Sequence, residues 1–363
     1  MGINRSFALL TPGLSNCNQT RISPKDKYGT SNSCRYRCYR LPGCSNPIRP
    51  SLQSITLISS LQGGSVVSEL LQHPGVYNVR ALTRDPTKPA AQSLAARGAE
   101  VFRADIDNGP DTLAAAFEGA HAIYALTDFW QTQSATAEIV QGKAIVDAAA
   151  RITTLEHLVW SAIPDPEKMS GGKFLHINHW KSKSLVTEYI QQMPELWAKT
   201  TTILFPNYFE NCLTSPGRYL PAPDATGVYT LSFPHSPETV MPNVSIADTG
   251  KLVRTILEAG SVYFTKTIAF YSQALSEAEK LVALGDSMLQ HDPVPEAQLI
   301  LCLEYNIPTR YHKISTDEFQ QTLRSRDGMS AEMAVDFAEQ LMIFEECGNI
   351  YAREEFIQAR EVC

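Results

Sequence analysis

The chain has 363 residues, of which 44% are hydrophobic and 19% are charged, a composition typical of a globular protein with a substantial core. Its formal net charge of −7 at pH 7 argues against a general binder of nucleic acid or of anionic membranes. No apolar run approaches the ~20 residues that span a bilayer, and the cysteine spacing does not match common zinc modules, so we expect no nucleic-acid partner, no membrane segment and no metal site.

Residues 1–50 differ in composition from the rest of the chain. They carry eight basic residues and one acidic residue, and they are rich in serine, asparagine, proline and glycine. Because they show no helical or strand periodicity, we expect residues 1–54 to be disordered or loosely attached. The globular pattern begins abruptly afterwards, so a second interpretation is that the segment through about Gln62 results from a wrongly assigned gene start.

Residues 54–67 have the pattern of a dinucleotide-binding strand, turn and helix. A β-rich run over 55–58 leads through Gly63 and Gly64 into an apolar-periodic segment over 65–71. We expect the two glycines to form the turn and the helix to begin just after them. The free N–H groups of its first turn would then favour an anion.

From residue 77 onward, β-rich runs alternate with apolar-periodic segments. Alternation at this spacing is typical of a parallel, doubly wound sheet covered by helices on both faces. The predicted strands are 77–82, 100–104, 121–126, 157–161 and 201–205, and the predicted helices are 89–97, 111–117 with Asp111 as its cap, 136–151 and 179–192.

The alternation becomes irregular after residue 161, with a Gly-Gly-containing loop over 169–173 and a proline-rich stretch over 215–242. We therefore predict an α/β protein with a Rossmann-like sheet over 55–205. A smaller C-terminal substrate lobe over 206–363 would be interleaved with it. In such a sheet, ligands bind beyond the carboxyl ends of the strands.

Arg84 closes the second predicted strand, and Lys88 follows one turn later. In an NAD-selecting fold, an acidic residue near this place accepts a hydrogen bond from the ribose 2′-hydroxyl. A guanidinium can instead bind a 2′-phosphate through two parallel hydrogen bonds. The residue type therefore predicts NADP rather than NAD, the alternative being a solvated arginine at a strand end. Asp85, which precedes a proline, is typical of a turn.

His179 and Lys183 have the i, i+4 spacing of the tyrosine–lysine pair that short-chain dehydrogenases carry after the fifth strand. In that pair the tyrosine is the acid, and the lysine lowers the pKa of the tyrosine and binds ribose. A histidine could donate the proton instead, since its unperturbed pKa is about 6.5. We name His179 and Lys183 as catalytic candidates. His176 is an alternative to His179, and a surface or capping role stays open for either histidine.

Several motifs, in order and at matching intervals, resemble the NmrA-like family of atypical short-chain dehydrogenase/reductases common in filamentous fungi. The resemblance covers roughly residues 55 to 320. Members of this family bind NADP on a Rossmann fold, and they include redox-sensing regulators as well as oxidoreductases of metabolite pathways. The motifs that carry the resemblance are VRALTRDP at 79–86, GAEV at 98–101, ALTDFW at 125–130, QGK at 141–143, HLVWS at 157–161, SK at 182–183 and NYFEN at 207–211.

The resemblance implies a role in cofactor binding for residues that match these motifs. Those expected around the adenosine half are Arg84, Asp85, Pro86, Thr87 and Lys88 at the 2′-phosphate, with Asp105 and Ile106 at the adenine. Those expected towards the nicotinamide are Thr127, Asp128, Phe129, Lys143, Lys183, Tyr208, Phe209, Glu210 and Asn211.

The glycine-rich loop departs from the family pattern. The family sequence Gly-Ala-Thr-Gly-Asn-Gln-Gly would fall on residues 57–63, where only Gln62 and Gly63 match. A leucine does not easily take the tight turn of the first glycine, and the side chain of Ser60 would obstruct the pyrophosphate. We therefore expect weakened cofactor binding. The dehydrogenase tyrosine is also missing, which leaves the proton donor unassigned.

Together these features predict a cytoplasmic NADP-dependent oxidoreductase that reduces a carbonyl or an activated double bond of a small metabolite. One alternative is a non-catalytic NADP-binding redox sensor that acts through a regulatory protein partner and could be nuclear. Another is a scaffold whose altered loop has abolished cofactor binding. The substrate and the oligomeric state are not predicted.

Overall fold

The computed structural model describes residues 52–57, 61–223, 225, 227–287 and 309–362. Most of the predicted N-terminal extension, residues 1–51, therefore lies outside the described residues, as does Ser60. The predicted end of the extension at residue 54 was wrong, because residues 52–54 belong to the first strand.

The strands alternate with helices along the first half of the chain, as predicted. In chain order the strands are β1 (Leu52–Leu57), β2 (Tyr77–Thr83), β3 (Glu100–Arg103), β4 (Ala122–Ala125), β5 (His157–Ala162), β6 (Thr200–Leu204), β7 (Asn207–Tyr208), β8 (Ala222–Pro223), β9 (Tyr229–Phe233), β10 (Val240–Val244), β11 (Thr267–Ala269), β12 (Gln273–Ser276), β13 (Thr309–Lys313) and β14 (Ile357–Gln358).

The helices lie between these strands along the chain. In chain order they are α1 (Leu61–Leu70), α2 (Pro89–Ala96), α3 (Gly109–Phe117), α4 (Phe129–Thr132), α5 (Ala135–Ala150), α6 (Pro166–Ser170), α7 (Asn178–Gln191), α8 (Pro194–Trp197), α9 (Asn211–Thr214), α10 (Pro216–Tyr219), α11 (Thr249–Ala259), α12 (Glu277–Ser287), α13 (Thr316–Asp327) and α14 (Ala331–Cys347).

Eight strands form one sheet in the order β14-β11-β6-β5-β4-β1-β2-β3, and every neighbouring pair is parallel. The strand order reverses direction between β1 and β4, which is the switch point of a doubly wound Rossmann-like sheet. The fold class predicted from the sequence is therefore confirmed. Strands β4, β5 and β6 are buried along their whole length, since helices cover a parallel sheet on both faces.

The segment after residue 205 does not stand apart from this sheet. Strands β11 and β14 come from it and extend the large sheet beyond β6. The other strands of this segment build two three-stranded sheets, β12-β10-β7 and β13-β9-β8. The interleaving agrees with the expectation, while the boundaries of the two predicted domains stay a prediction.

Helix α1 begins earlier than the sequence indicated. It starts at Leu61, so Gly63 and Gly64 lie inside the helix and the predicted turn at these glycines was wrong. Gly63 shares the buried face of α1 with Val66, Val67 and Leu70, at the i, i+3, i+4 and i+7 positions of a helical stripe. In the sequence, a glycine on the packed face of a helix, such as Gly63, is indistinguishable from a glycine in a turn. The connection from β1 falls at residues 58–60, which lie outside the described part.

The strands and helices predicted from residue 77 onward agree with the structure to within two residues. One cap was wrong: Asn108 precedes α3, and Asp111 lies inside its first turn. The helix begins two residues earlier than predicted because Pro110 has a φ already suited to a helix start. The loop predicted over 169–173 is partly helical, since α6 ends only at Ser170. None of the helices in the described part of the chain combines the length and apolarity needed to cross a bilayer.

Candidate functional site

A cavity of about 1030 Å³ lies beyond the carboxyl ends of the central strands. Its wall includes the start of α1 and the residues that follow β4, β5 and β6. Ligand pockets commonly measure roughly 300–1,000 Å³, so this cavity is large enough for an extended ligand. It occupies the switch point where doubly wound sheets bind their ligands.

Gln62 joins the ends of three elements at the centre of this wall. Its Oε1 accepts hydrogen bonds from Tyr124 Oη and Ser161 Oγ, both at 2.8 Å. Its Nε2 donates to Tyr208 Oη. Burial raises the pKa of Tyr124 and of Tyr208, so both phenols stay protonated at neutral pH. Neither phenol therefore has the lowered pKa of a dehydrogenase tyrosine.

Lys183 is fixed in the cavity wall by a buried carboxylate. Its Nζ donates to Thr127 O and Thr127 Oγ1, both at 2.8 Å, and to Glu138 Oε1. The Glu138 side chain is fully buried and also accepts from Thr127 Oγ1 at 2.7 Å and from Ser182 Oγ. All three N–H donors of the ammonium are thus engaged, so Lys183 contributes a fixed positive charge.

His179 lines the same cavity and is almost fully buried. Its Nδ1 hydrogen bonds with Asp336 Oδ1, and its backbone N donates to Asp336 Oδ2 at 3.1 Å. The alternative histidine, His176, has a 64% exposed side chain that pairs with Glu339, and it is not part of the cavity wall. Of the two histidines, the structure brings His179 into the cavity.

A cluster of cations lies at the carboxyl edge of β2 and β3. Arg84 and Lys88 are exposed, and their side chains have no hydrogen bond or ion pair with any described residue. Arg103 ends β3 opposite Thr83. Asp85 accepts from Thr87 N at 2.9 Å and Thr87 Oγ1 at 2.6 Å, and these hydrogen bonds lower the pKa of Asp85, with smaller effects from Lys88 and Arg103.

The structure divides the sequence-predicted residues into two sets. Those that line the cavity are Gln62, Thr127, Asp128, Phe129, His179, Lys183, Tyr208 and Asn211. Those that lie outside its lining are Gly63, Arg84, Asp85, Pro86, Thr87, Lys88, Asp105, Ile106, Lys143, Phe209 and Glu210.

Three residues that lie outside the cavity lining have local contacts that explain the positions of their side chains. The Lys143 ammonium lies 4.9 Å from the centre of the Tyr189 ring. The Glu210 carboxylate accepts from Ser245 Oγ at 2.6 Å and Ile246 N at 3.0 Å. Asp105 accepts from the backbone of a short helical turn at 106–108. These contacts are structural, and the predicted cofactor roles of these residues stay untested.

Sequence reasoning missed several residues of the wall. Ser161, next to the last residue of β5, was expected at the carboxyl edge of the sheet where ligands bind, but no role was assigned to it. Trp130 lines the cavity with a side chain that is 47% exposed, and only its place in the ALTDFW motif hinted at it. Nothing in the sequence pointed to Asp336, which lies 157 residues after His179.

Comparisons with known proteins agree with this fold. A model of the protein family described as the NmrA-like family matches residues 55–287. FrzB of Cladobotryum sp, named an NmrA-like family domain-containing oxidoreductase, is 36% identical over 184 residues, which are 48% of this chain and 53% of FrzB. The match thus spans about half the length of that curated relative.

Solved structures share the fold at low sequence identity. NmrA, a negative transcriptional regulator solved in complex with NADP, has a TM-score of 0.58 at 18% identity, over 85% of this chain and 97% of that one. The NADPH-dependent quinone oxidoreductase QOR2 of Escherichia coli, complexed with NADPH, has a TM-score of 0.59 at 18% identity, over 82% and 90%.

Proposed function

This chain belongs to the NmrA-like family, and from that premise we propose that it binds NADP and reduces a carbonyl or an activated double bond of a small secondary metabolite. The observation that carries the proposal is the wall of the cavity, where His179 and Lys183 of one helix stand together at the switch point of the sheet. One side chain can exchange a proton, and the other is a fixed cation.

The residues present fit a dinucleotide with a 2′-phosphate. Arg84 and Lys88 have no anionic partner among the described residues, and Arg103 reaches the same edge of the sheet from β3. A phosphate monoester brings nearly two negative charges to such a cluster. An arginine can bind it through two parallel hydrogen bonds.

The start of α1 fits the pyrophosphate. Leu61 and Gln62, in its first turn, line the cavity, and the first N–H groups of a helix have no partner within the helix. This anion site would begin four residues earlier than the sequence indicated. Of the two replaced family glycines, the first falls on Leu57 at the end of β1, and the second falls on Ser60, outside the described residues.

Lys183 and His179 would have different tasks in the reaction. When bound, the nicotinamide supplies a hydride. The ammonium of Lys183, held by Thr127 and Glu138, would stabilise negative charge at the wall of the cavity as a fixed cation. His179 would donate a proton to the substrate from its second ring nitrogen.

A second candidate function is a redox sensor that binds NADP without turnover and relays its state to a protein partner. The structural likeness to NmrA, a negative transcriptional regulator, favours it. So does the raised pKa of Tyr124 and of Tyr208, caused by burial, because it makes both phenols poor proton donors.

NADPH oxidation with a panel of quinones, aromatic aldehydes and enones tests the proposal. We expect turnover in the native chain, a large loss in Lys183→Met and little change in Lys313→Met, whose half-exposed lysine pairs with Glu345. NADPH binding without turnover on the whole panel, with a co-purifying protein, would favour the sensor. Absence of NADPH binding would contradict both functions.

A further inference from the structure

Asp336 of helix α14 hydrogen bonds to both the backbone and the ring of His179. It is fully buried, and it lies beyond residues 55–287, where the family model matches. One carboxylate oxygen accepts from the backbone N of His179 and the other bonds to ring nitrogen Nδ1. An ionised carboxylate only accepts hydrogen bonds, so Nδ1 carries the proton.

This arrangement leaves Nε2 of His179 as the active nitrogen of the ring. Among the described residues no group hydrogen bonds to Nε2, and Nε2 is not one of the enclosed polar atoms without a partner. Since His179 lines the cavity, Nε2 is the ring atom open to a ligand. In the neutral ring this nitrogen accepts a proton, and in the charged ring it donates one.

Aromatic side chains fix the plane of this ring. The Trp130 ring centre lies 5.2 Å from that of His179, the Phe129 centre lies at 5.8 Å, and Phe337 stacks at 6.3 Å with an angle of 22° between the rings. With one edge held by Asp336, the ring has little freedom to turn. Its free nitrogen therefore keeps one orientation.

The same helix pair contains a close counterpart without access to the cavity. Glu339 of α14 accepts from His176 N at 2.8 Å and contacts His176 Nδ1 at 2.6 Å. The hydrogen-bond pattern equals that of Asp336 and His179, but the His176 side chain is 64% exposed and that of His179 is 8% exposed. Glu339 therefore shows what a purely structural clamp between α14 and the start of α7 looks like.

Docking of α14 alone does not account for Asp336. Glu339 already supplies this contact at the surface, where an ion pair has little desolvation cost. Burying a further carboxylate away from water is costly unless its partners use both oxygens. The buried carboxylate of Asp336 holds a ring whose other nitrogen faces the cavity. The exposed pair of His176 and Glu339 has no such access to the cavity.

We propose that Asp336 is a positioning residue that keeps the proton of His179 on Nδ1 and thereby presents Nε2 to the substrate as the proton-exchanging atom. The proton-transfer role depends on the proposed reductase function, whereas the positioning does not. The proton passes from Nε2 of the charged ring to an oxygen of the substrate, whose carbon has received the hydride of the nicotinamide. The N–H bond breaks, an O–H bond forms, and the neutral ring keeps Nδ1–H and regains a proton from solvent.

NMR of protein with isotope-labelled histidine tests the positioning, because the ring nitrogens report which of them is protonated. We expect the neutral ring of His179, identified by its loss in His179→Gln, to be protonated at Nδ1. In Asp336→Asn a single amide oxygen is left, and the backbone N–H of His179 retains it. The amide NH₂ then faces Nδ1, and the proton moves to Nε2. A native ring protonated at Nε2, or an unchanged tautomer in Asp336→Asn, would overturn the proposal.

Steady-state reduction of an aromatic aldehyde and of a conjugated enone by NADPH tests the transfer step. We expect Asp336→Asn to lower kcat roughly 100-fold or more while KM and the NADPH affinity change little. Glu339→Gln should lower the melting temperature as a loss of helix docking would, but leave kcat and the His179 tautomer unchanged. An equal loss of kcat in both variants would make Asp336 merely structural and refute the proposal. Failure of NADPH to bind would refute the proposed function alone, since the tautomer is measured without cofactor.

Discussion

Gly142 of α5 lies directly against Val186 of α7, with no room for a side chain between them. A Cβ built on Gly142 would contact both methyl groups of Val186, Cγ1 at 3.0 Å and Cγ2 closer still. This close approach brings α5, which carries Glu138, against α7, which carries Lys183. The buried ion pair of the cavity wall therefore depends on the absence of a side chain at residue 142.

Gly142→Ala should destabilise the fold although alanine is the better helix former. The added methyl overlaps a stiff, β-branched side chain, and such overpacking costs about 1–3 kcal/mol, more than the ~1 kcal/mol gained in helix propensity. Urea unfolding should show the loss, and adding Val186→Ala should relieve part of it. Gly64→Ala, a helical site with open space around the new methyl, should be neutral or stabilising. Equal losses at both glycines would contradict the close packing.

Glu138→Ala should destabilise the protein strongly. It leaves the ammonium of Lys183, whose side chain is only 12% exposed, without its carboxylate, and breaking a buried pair costs about 3–5 kcal/mol. Lys313→Ala breaks a pair with Glu345 in which the lysine is half exposed and should cost about 1 kcal/mol or less. The double variant Glu138→Ala, Lys183→Met should recover part of the stability. Similar losses at the two pairs would show that the inner pair is effectively solvated.

The ring of His157 predicts a loss of stability in mild acid. Its Nε2 hydrogen bonds to Thr201 Oγ1 at 2.8 Å, while its Nδ1 is buried and has no partner among the described residues. Burial lowers the pKa of His157 from 6.5 to about 4. As pH falls below 6.5 the unfolded chain takes up a proton here, and the folded chain does not until about pH 4. The free energy of unfolding should therefore fall across this window, by roughly 3 kcal/mol.

Urea unfolding between pH 7 and pH 4 measures this effect. His157→Gln keeps a donor for Thr201 but does not titrate, so its stability should depend less steeply on pH over the same window. The difference between the two chains isolates His157 from the other titrating groups. Parallel profiles would mean that the His157 ring takes up its proton in the folded state as readily as in the unfolded one.

Local sequence patterns sufficed for the sheet but not for the chemistry of the cavity wall. Runs such as residues 157–162 are apolar and bounded by turn residues, so each strand could be located on its own. Arg84 could be placed just after a strand and Lys183 within a helix, because local periodicity sets such positions, while their cofactor roles stay a prediction. The interpretation of Gly63 failed because a glycine that packs on a helix face has the same composition signal as a glycine in a turn.

The contacts that orient the site could not be predicted because they join distant parts of the chain. Asp336 meets His179 across 157 residues, and Gln62 meets Tyr208 across 146. No periodicity links such residues, and only the packing of α14 and of the start of α1 brings them together. Arg103 is an intermediate case, since parallel pairing of β2 and β3 places it level with Thr83, which a sheet register could have indicated.

Calorimetric titration with NADPH and NADH tests the central claim most directly. We expect the native chain to bind NADPH at least about tenfold more tightly than NADH, since a charge-assisted hydrogen bond to the 2′-phosphate contributes about 1.5–3 kcal/mol. Arg84→Ala should lose most of this preference by weakening NADPH alone. Arg151→Ala, whose arginine pairs with Asp111 outside the cavity wall, should behave as the native chain. Equal affinities for the two cofactors would contradict the role of Arg84, and no binding of either would contradict the proposed NADP-dependent function.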